Sequence, residues 1–154
     1  MEPVEVASYT IHSVIAGLWT GSVLFVTLSA LPLARNGNLN AAPLDAIGNR
    51  LTTISRFSAV VLFLTGSHMA GVRHTGETLF ETEGGWLVLA MIGFWLALMA
   101  TVEIGAKKLR DGTERDKVRE PARNARAFFL AASLFAVLLL VTAGLLSAHN
   151  LGFL

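Results

Sequence analysis

Residues 9–33 read YTIHSVIAGLWTGSVLFVTLSALPL, a run without a single Asp, Glu, Lys or Arg. At a rise of about 1.5 Å per residue, a helix of this length is long enough to cross the roughly 30 Å hydrocarbon core of a bilayer. The whole chain shares this character: 53% of its 154 residues are hydrophobic, 15% are charged and the mean hydropathy is +0.59. That balance is too apolar and too charge-poor for an ordinary water-soluble domain. Three further stretches, about 53–72, 86–104 and 127–149, are nearly free of charge and approach the length a spanning helix needs. The pattern predicts an all-α, integral membrane four-helix antiparallel bundle, one transmembrane domain over 1–154.

The connectors set the orientation. RNGNLNAAPLDAIGNR (35–50) has the Gly, Asn and Pro content of a loop with at most one short surface helix, VRHTGETLFETEGG (72–85) reads as a polar turn, and EIGAKKLRDGTERDKVREPARNAR (103–126) as a charged hairpin. Pro121 suits an early position of the fourth helix. Eleven of the 12 Lys and Arg residues, from Arg35, Arg50 and Arg56 through Lys107 to Arg126, fall on the side of the first and third connectors; Arg73 alone falls on the other. Basic residues in short loops stay on the cytoplasmic side, so both termini are expected outside. The start MEPVEVASYT has no Lys or Arg and lacks the basic region of a cleavable leader, so the first span is expected to be retained.

An antiparallel arrangement brings all four histidines to one level. His12 begins the first span, His68 lies about a turn before the end of the second, His74 just beyond it, and His149 at the end of the fourth. His12, His68 and His149 then differ in depth by roughly 6 Å or less. An ionisable group inside a membrane span is a functional candidate, and His68, set in FLTGSHMAG, is the most deeply embedded. His74 and His149 also suit a water-facing interfacial position.

The chain has no cysteine, which excludes disulfides, thiolate metal sites and thiol catalysis. G-x-S-x-G, phosphate-loop and H-E-x-x-H motifs are absent, so hydrolase and kinase chemistry has no support. The basic run is interleaved with acids between two spans, which gives no support to nucleic-acid binding. Neutral imidazole does ligate haem iron, copper or zinc, and a helical bundle is a usual place for such a site. Gly66 and Gly71, which flank His68, would leave a flat slot for a porphyrin, and Trp19, two turns deeper than His12, would wall it or fill core space. Gly17 and Gly21 fit a close helix–helix contact equally well. Copper(I) favours thioether and thiolate ligands, and no ladder of Met or Cys crosses the chain. Met69 adjoins His68 but projects about 100° away on a helix, and Met91 and Met99 suit core filling. At the opposite end, Arg56 and Glu103 are expected at similar depth as a buried ion pair.

HSVIAGLWTGSVLF (12–25) and RFSAVVLFLTG (56–66) resemble the copper-resistance D (CopD) type of membrane protein, whose domain opens with a His, a later Trp-x-Gly and an Arg-Phe-Ser leading into the next span. The His12-to-Trp19 spacing is also similar to the first helix of the four-helix, haem-binding bacterial protoporphyrinogen oxidase. The resemblance covers the first half of the chain; the third and fourth spans match only as hydrophobic helices. The CopD likeness implies copper passage across the inner membrane. The oxidase likeness implies haem b with His12 as a ligand, although the lysine those relatives use on a later helix has no counterpart within a span here.

The expectation is a multi-pass protein of the cell membrane binding haem b, with His12 and His68 as axial ligands and His149 as substitute, for electron transfer or redox sensing. If it is an enzyme, it is a haem-dependent oxidoreductase. Copper transport or delivery through the same histidines is the first alternative, and a cofactor-free accessory subunit the second. The expected partners are the lipid bilayer and a redox partner or larger membrane complex, with self-association left open.

Overall fold

The computed structural model describes residues 2–73 and 75–151. His74 lies outside the described residues. Among the described residues there is no strand. The elements are α1 (Pro3–Phe25), a π-helical turn (Val26–Ala30), α2 (Leu31–Asn36), α3 (Ala41–Arg73), α4 (Thr78–Glu81), α5 (Glu83–Thr113) and α6 (Arg119–Asn150).

α1 and α2 form one rod, and the π turn between them has a local cause. Pro32 has no N–H, so it cannot close a bond to the carbonyl four residues back, and its ring crowds that carbonyl. The helix widens instead, and Leu31 N–H bonds to the Val26 carbonyl, five residues back. The rod ends at Gly37, whose φ of 79° is the left-handed conformation that glycine adopts without a Cβ penalty. Asn38 N–H then caps the Leu33 carbonyl at 2.9 Å.

The helices run further than their apolar segments. The expected loop at 35–50 is mostly helix, because α3 already begins at Ala41. Pro43 does not prevent this, since first-turn N–H groups have no intrahelical partner to lose. The charged hairpin is likewise helical up to Thr113 and again from Arg119. Asp116 turns the chain there with a φ of 55°, a conformation that Asp tolerates better than most residues.

Three helical segments are long and apolar enough to cross a membrane: Pro3–Asn36, Glu83–Thr113 and Arg119–Asn150. α3 is as long, at 33 residues, but Ser55, Arg56, Ser58, Thr65, Ser67 and His68 interrupt its apolar run. Of these, Ser55, Thr65 and His68 meet partners on α1, and Arg56 pairs with Glu103 of α5.

α1 packs on α3, α3 on α5 and α5 on α6, and α6 returns to α1; the α5–α6 pair is the most extensive. The core sits toward one end. Buried positions begin at Trp19 in α1, end at Leu62 in α3, and in α6 reach from Pro121 to Ala136 with Thr142 beyond. This is the end at which the basic residues collect. Toward the histidine end the helices keep large apolar side chains such as Val14, Leu64, Leu140 and Leu145 exposed, as lipid contact requires.

The α5–α6 hairpin closes through Gly112, where any Cβ would run into the Pro121 ring. Gly112→Ala is therefore expected to force the hairpin apart and destabilise the protein by about 1–3 kcal/mol. Gly93→Ala, in open space within α5, should be neutral or slightly stabilising, by up to about 1 kcal/mol. Thermal unfolding in detergent of the two variants against the parent protein checks both.

Candidate functional site

Three polar residues of α3, Ser55, Thr65 and His68, face α1. Residues 5, 8, 9 and 12 of α1 recur at helical spacing, and the same stripe continues toward Trp19. Running antiparallel, α3 meets it with His68, Thr65 and Ser55 in turn. Ser8 Oγ lies 3.3 Å from His68 Nδ1, His12 Nδ1 lies 2.8 Å from Thr65 Oγ1, and Trp19 Nε1 donates to Ser55 Oγ at 2.8 Å. These three contacts form a seam along the two helices.

In the middle rung Thr65 Oγ1 also lies 2.8 Å from the Val61 carbonyl, and its hydroxyl can donate to either neighbour. The rung engages His12 Nδ1 and leaves Nε2 as the ring nitrogen with no partner among the described residues. The His12 ring is half-buried and fills the space above Gly66, with its Cε1 3.2 Å from where a Cβ would stand.

This placement gives the expected porphyrin slot no support. Gly66 makes room for His12 rather than for a planar cofactor, and nothing lies within 4 Å of a Cβ at Gly71. Trp19 is 1% exposed in the core and tied to Ser55, so it fills space instead of walling a cleft. His68 is exposed and turned to Ser8, and His149 is half-buried near the end of α6. Among the described residues no three His, Asp or Glu side chains converge on a metal-sized site, so His149 is not brought to His12 and His68. The geometry among the described residues gives no support to haem b.

A small cleft does open at the histidine end, between the first turns of α1 and the last turns of α3. Glu5, Tyr9, His68, Met69, Val72 and Arg73 line it, and it encloses about 30 Å³. That is room for an ion or a single water. Of its lining, the sequence alone marks His68 as a ligand candidate; Met69 and Arg73 enter it only as a neighbour and as the lone basic residue on that side. The signal was available in the i, i+4 spacing of Glu5 with Tyr9 and of His68 with Val72, but periodicity does not say which faces of two helices meet.

At the opposite end Arg56 and Glu103 do pair, in fork geometry: Nε to Oε1 at 2.7 Å and Nη2 to Oε2 at 3.0 Å. The expected burial is not observed. The Arg56 side chain is 64% exposed and Glu103 31%, so the pair lies on the outer surface where α3 and α5 meet. Neutralisation by a bidentate partner suits such a place, where a lone guanidinium would face lipid or headgroups. Next along α3, Ser58 is fully buried and its Oγ has no partner among the described residues.

Removing one side of the Trp19–Ser55 contact leaves a buried polar group unpaired. Ser55→Ala and Trp19→Phe are each expected to cost about 1–3 kcal/mol, with the double variant costing less than their sum. A double-mutant cycle on thermal unfolding measures this.

The family model of Copper resistance protein D (CopD) matches residues 45–147 of this chain, well over half of it. No curated protein and no solved structure matches, so the likeness of the first helix to the oxidase finds no support. The match takes in one of the two stretches that carried the resemblance, with Arg56, Phe57 and Ser58, and extends beyond the first half of the chain over α5 and most of α6; it includes His68 and leaves out His12, Trp19 and His149. With a family match of this extent and three helices apolar enough to span a bilayer, the chain is a multi-pass membrane protein that belongs to the copper resistance protein D family.

Proposed function

We propose that this protein moves or delivers copper across the cell membrane, taking the ion up at the histidine end of its helices. The observation that carries this reading is the family match over α3, α5 and α6, joined to the seam on α3 that engages His12 Nδ1 and leaves its Nε2 without a partner among the described residues. α3 is then the second of four spans in an antiparallel bundle, and its less apolar composition follows from the partners it holds on α1 and α5. Both termini and the α3–α5 connection lie outside; the partition of Lys and Arg supports that orientation. His12 Nε2 and His68 are the ligand candidates. His149, on α6, stands apart from the seam and is left out of the set. Haem b and electron transfer are not carried forward, since neither the fold nor the family match supports them.

The reading has a direct test. Purified protein is expected to be colourless without a Soret band, and proteoliposomes containing it should take up copper faster than empty vesicles, with His12→Asn and His68→Asn slowing the uptake. A haem spectrum in the preparation, or copper flux equal to that of empty liposomes, would overturn it.

A further inference from the structure

We propose that the face of α6 bordering α2 binds an anionic phospholipid, with its phosphate held among Arg35, Arg119, Arg123 and Arg126 and an acyl chain along the apolar ridge that follows them on α6. The site lies at the end opposite the histidines and does not depend on the copper reading.

Spacing and contacts locate the stripe. Arg119, Arg126 and Ser133 recur every seven residues, two turns of helix, and so share one face of α6. Both ends of that face meet the rod formed by α1 and α2. Ser133 Oγ donates to Thr27 Oγ1 at 2.9 Å, and the Arg119 guanidinium covers Gly37, occupying the space a Cβ would take. Arg126 therefore stands between two contacts with the rod, and Arg123, four residues after Arg119, lies beside it. All three arginines are exposed. Arg35 comes from α2, which packs on α6, and shares a face of that short helix with the buried Leu31 one turn earlier.

The charge of the stripe is not balanced within the protein. Arg56–Glu103 and Lys117–Glu120 are the salt bridges among the described residues, so none of these four arginines is paired with a carboxylate. The one acid within the stripe's own sequence, Glu120, projects about 100° round the helix from Arg119 and is held by Lys117 at 2.9 Å. Arg35 Nε is enclosed and has no hydrogen-bond partner among the described residues. Cations gathered in this way repel one another unless an anion lies among them. The planar guanidinium fork matches the oxygens of a phosphate.

The residues that follow on the same side of α6 select a lipid over a free anion. Leu130 lies four residues after Arg126, Leu134 four further and Val137 three beyond that, and all are exposed. They belong to a helix apolar enough to span a bilayer. One helix face thus passes from cations to apolar surface in the order in which a phospholipid presents its phosphate and its acyl chain. Soluble phosphate would engage only the first part.

The test is lipid retention by the purified full chain in detergent, read by native mass spectrometry with dioleoylphosphatidylglycerol or dioleoylphosphatidylcholine, which share acyl chains and differ in net charge. The parent protein should retain the anionic lipid about tenfold more strongly or better, and excess inorganic phosphate should not displace it. Arg123→Gln and Arg126→Gln should each weaken that retention about fivefold, and the double variant about 25-fold, the effect expected of single basic residues at an anionic surface. Arg50→Gln removes an exposed charge from α3, which packs on α1 and α5, and should leave retention unchanged. The substituted side chains are exposed, and circular dichroism should show unchanged helical content in all variants. Equal retention of the two lipids would overturn the site. So would a loss in Arg50→Gln as large as that in Arg126→Gln, which would assign the effect to overall charge, or full displacement by inorganic phosphate, which would assign the arginines to a soluble anion.

Discussion

A polar side chain inside a bilayer has to find its partner within the protein, because hydrocarbon offers none. The α1–α3 seam is this constraint made visible. Trp19 is held by Ser55, His12 by Thr65 and His68 by Ser8, so nearly every polar group that lowers the apolarity of α3 on that face is bonded across to α1. The same three contacts fix the relative register of the two helices, since shifting one by a residue would break all of them. The π turn further along α1 has a similar consequence at its contact with α6: Thr27 Oγ1 sits 3.2 Å from the Phe129 carbonyl and accepts from Ser133 Oγ at 2.9 Å.

The two ends of the helices differ in what holds them. At the basic end the packing is apolar and close: Val23, Ala34, Leu44, Val102 and Phe129 are all fully enclosed. Thr113 adds a hydrogen bond to Asp45 at 3.1 Å, which joins the end of α5 to the start of α3. At the histidine end α1 and α3 are joined by hydrogen bonds with little burial around them. Elements with few buried contacts open at low free-energy cost. His12 and His68, with their partners Thr65 and Ser8, lie at this loose end.

The fold was largely legible because its signal is compositional. Four apolar segments nearly free of charge read as helices in any order of inspection, and each is found within a long helix. Their ends were less legible. Pro43 and the Gly- and Asn-rich 35–50 segment carry loop chemistry, but a proline in the first turn costs a helix nothing, so α3 starts twelve residues before the expected span. The site was legible in depth and not in azimuth. Span boundaries place His12 and His68 at one end, but whether two rings meet depends on the rotation of each helix about its axis, which sequence spacing leaves free. Thr65, Ser8 and Ser55, the partners of the two histidines and the tryptophan, carry no motif at all. Small hydroxyl residues are common in apolar helices, and their assignment needs the neighbouring helix in place. The family relationship was legible in Arg56–Ser58 on α3, whereas the likeness read into the first helix lies outside the matched segment.

Arg56 shows how a single family-matched segment serves both the membrane and the core. Three consecutive residues of one helix must point in three directions, about 100° apart. Arg56 faces outward and closes a fork with Glu103 of α5, Phe57 is 59% exposed to the surrounding lipid, and Ser58 is fully enclosed. The ion pair joins the second and third long helices on their outer surface, at the end opposite the histidines. The seam joins the first and second through the interior face. α3 is thereby clamped on two sides at two depths, by a charged contact to α5 and by hydrogen bonds to α1. A helix fixed in this way keeps its histidine-bearing turn at a set height relative to both neighbours, even where apolar packing around that turn is sparse. The lower hydropathy of α3 is thus the consequence of its role as the helix that the others are registered against.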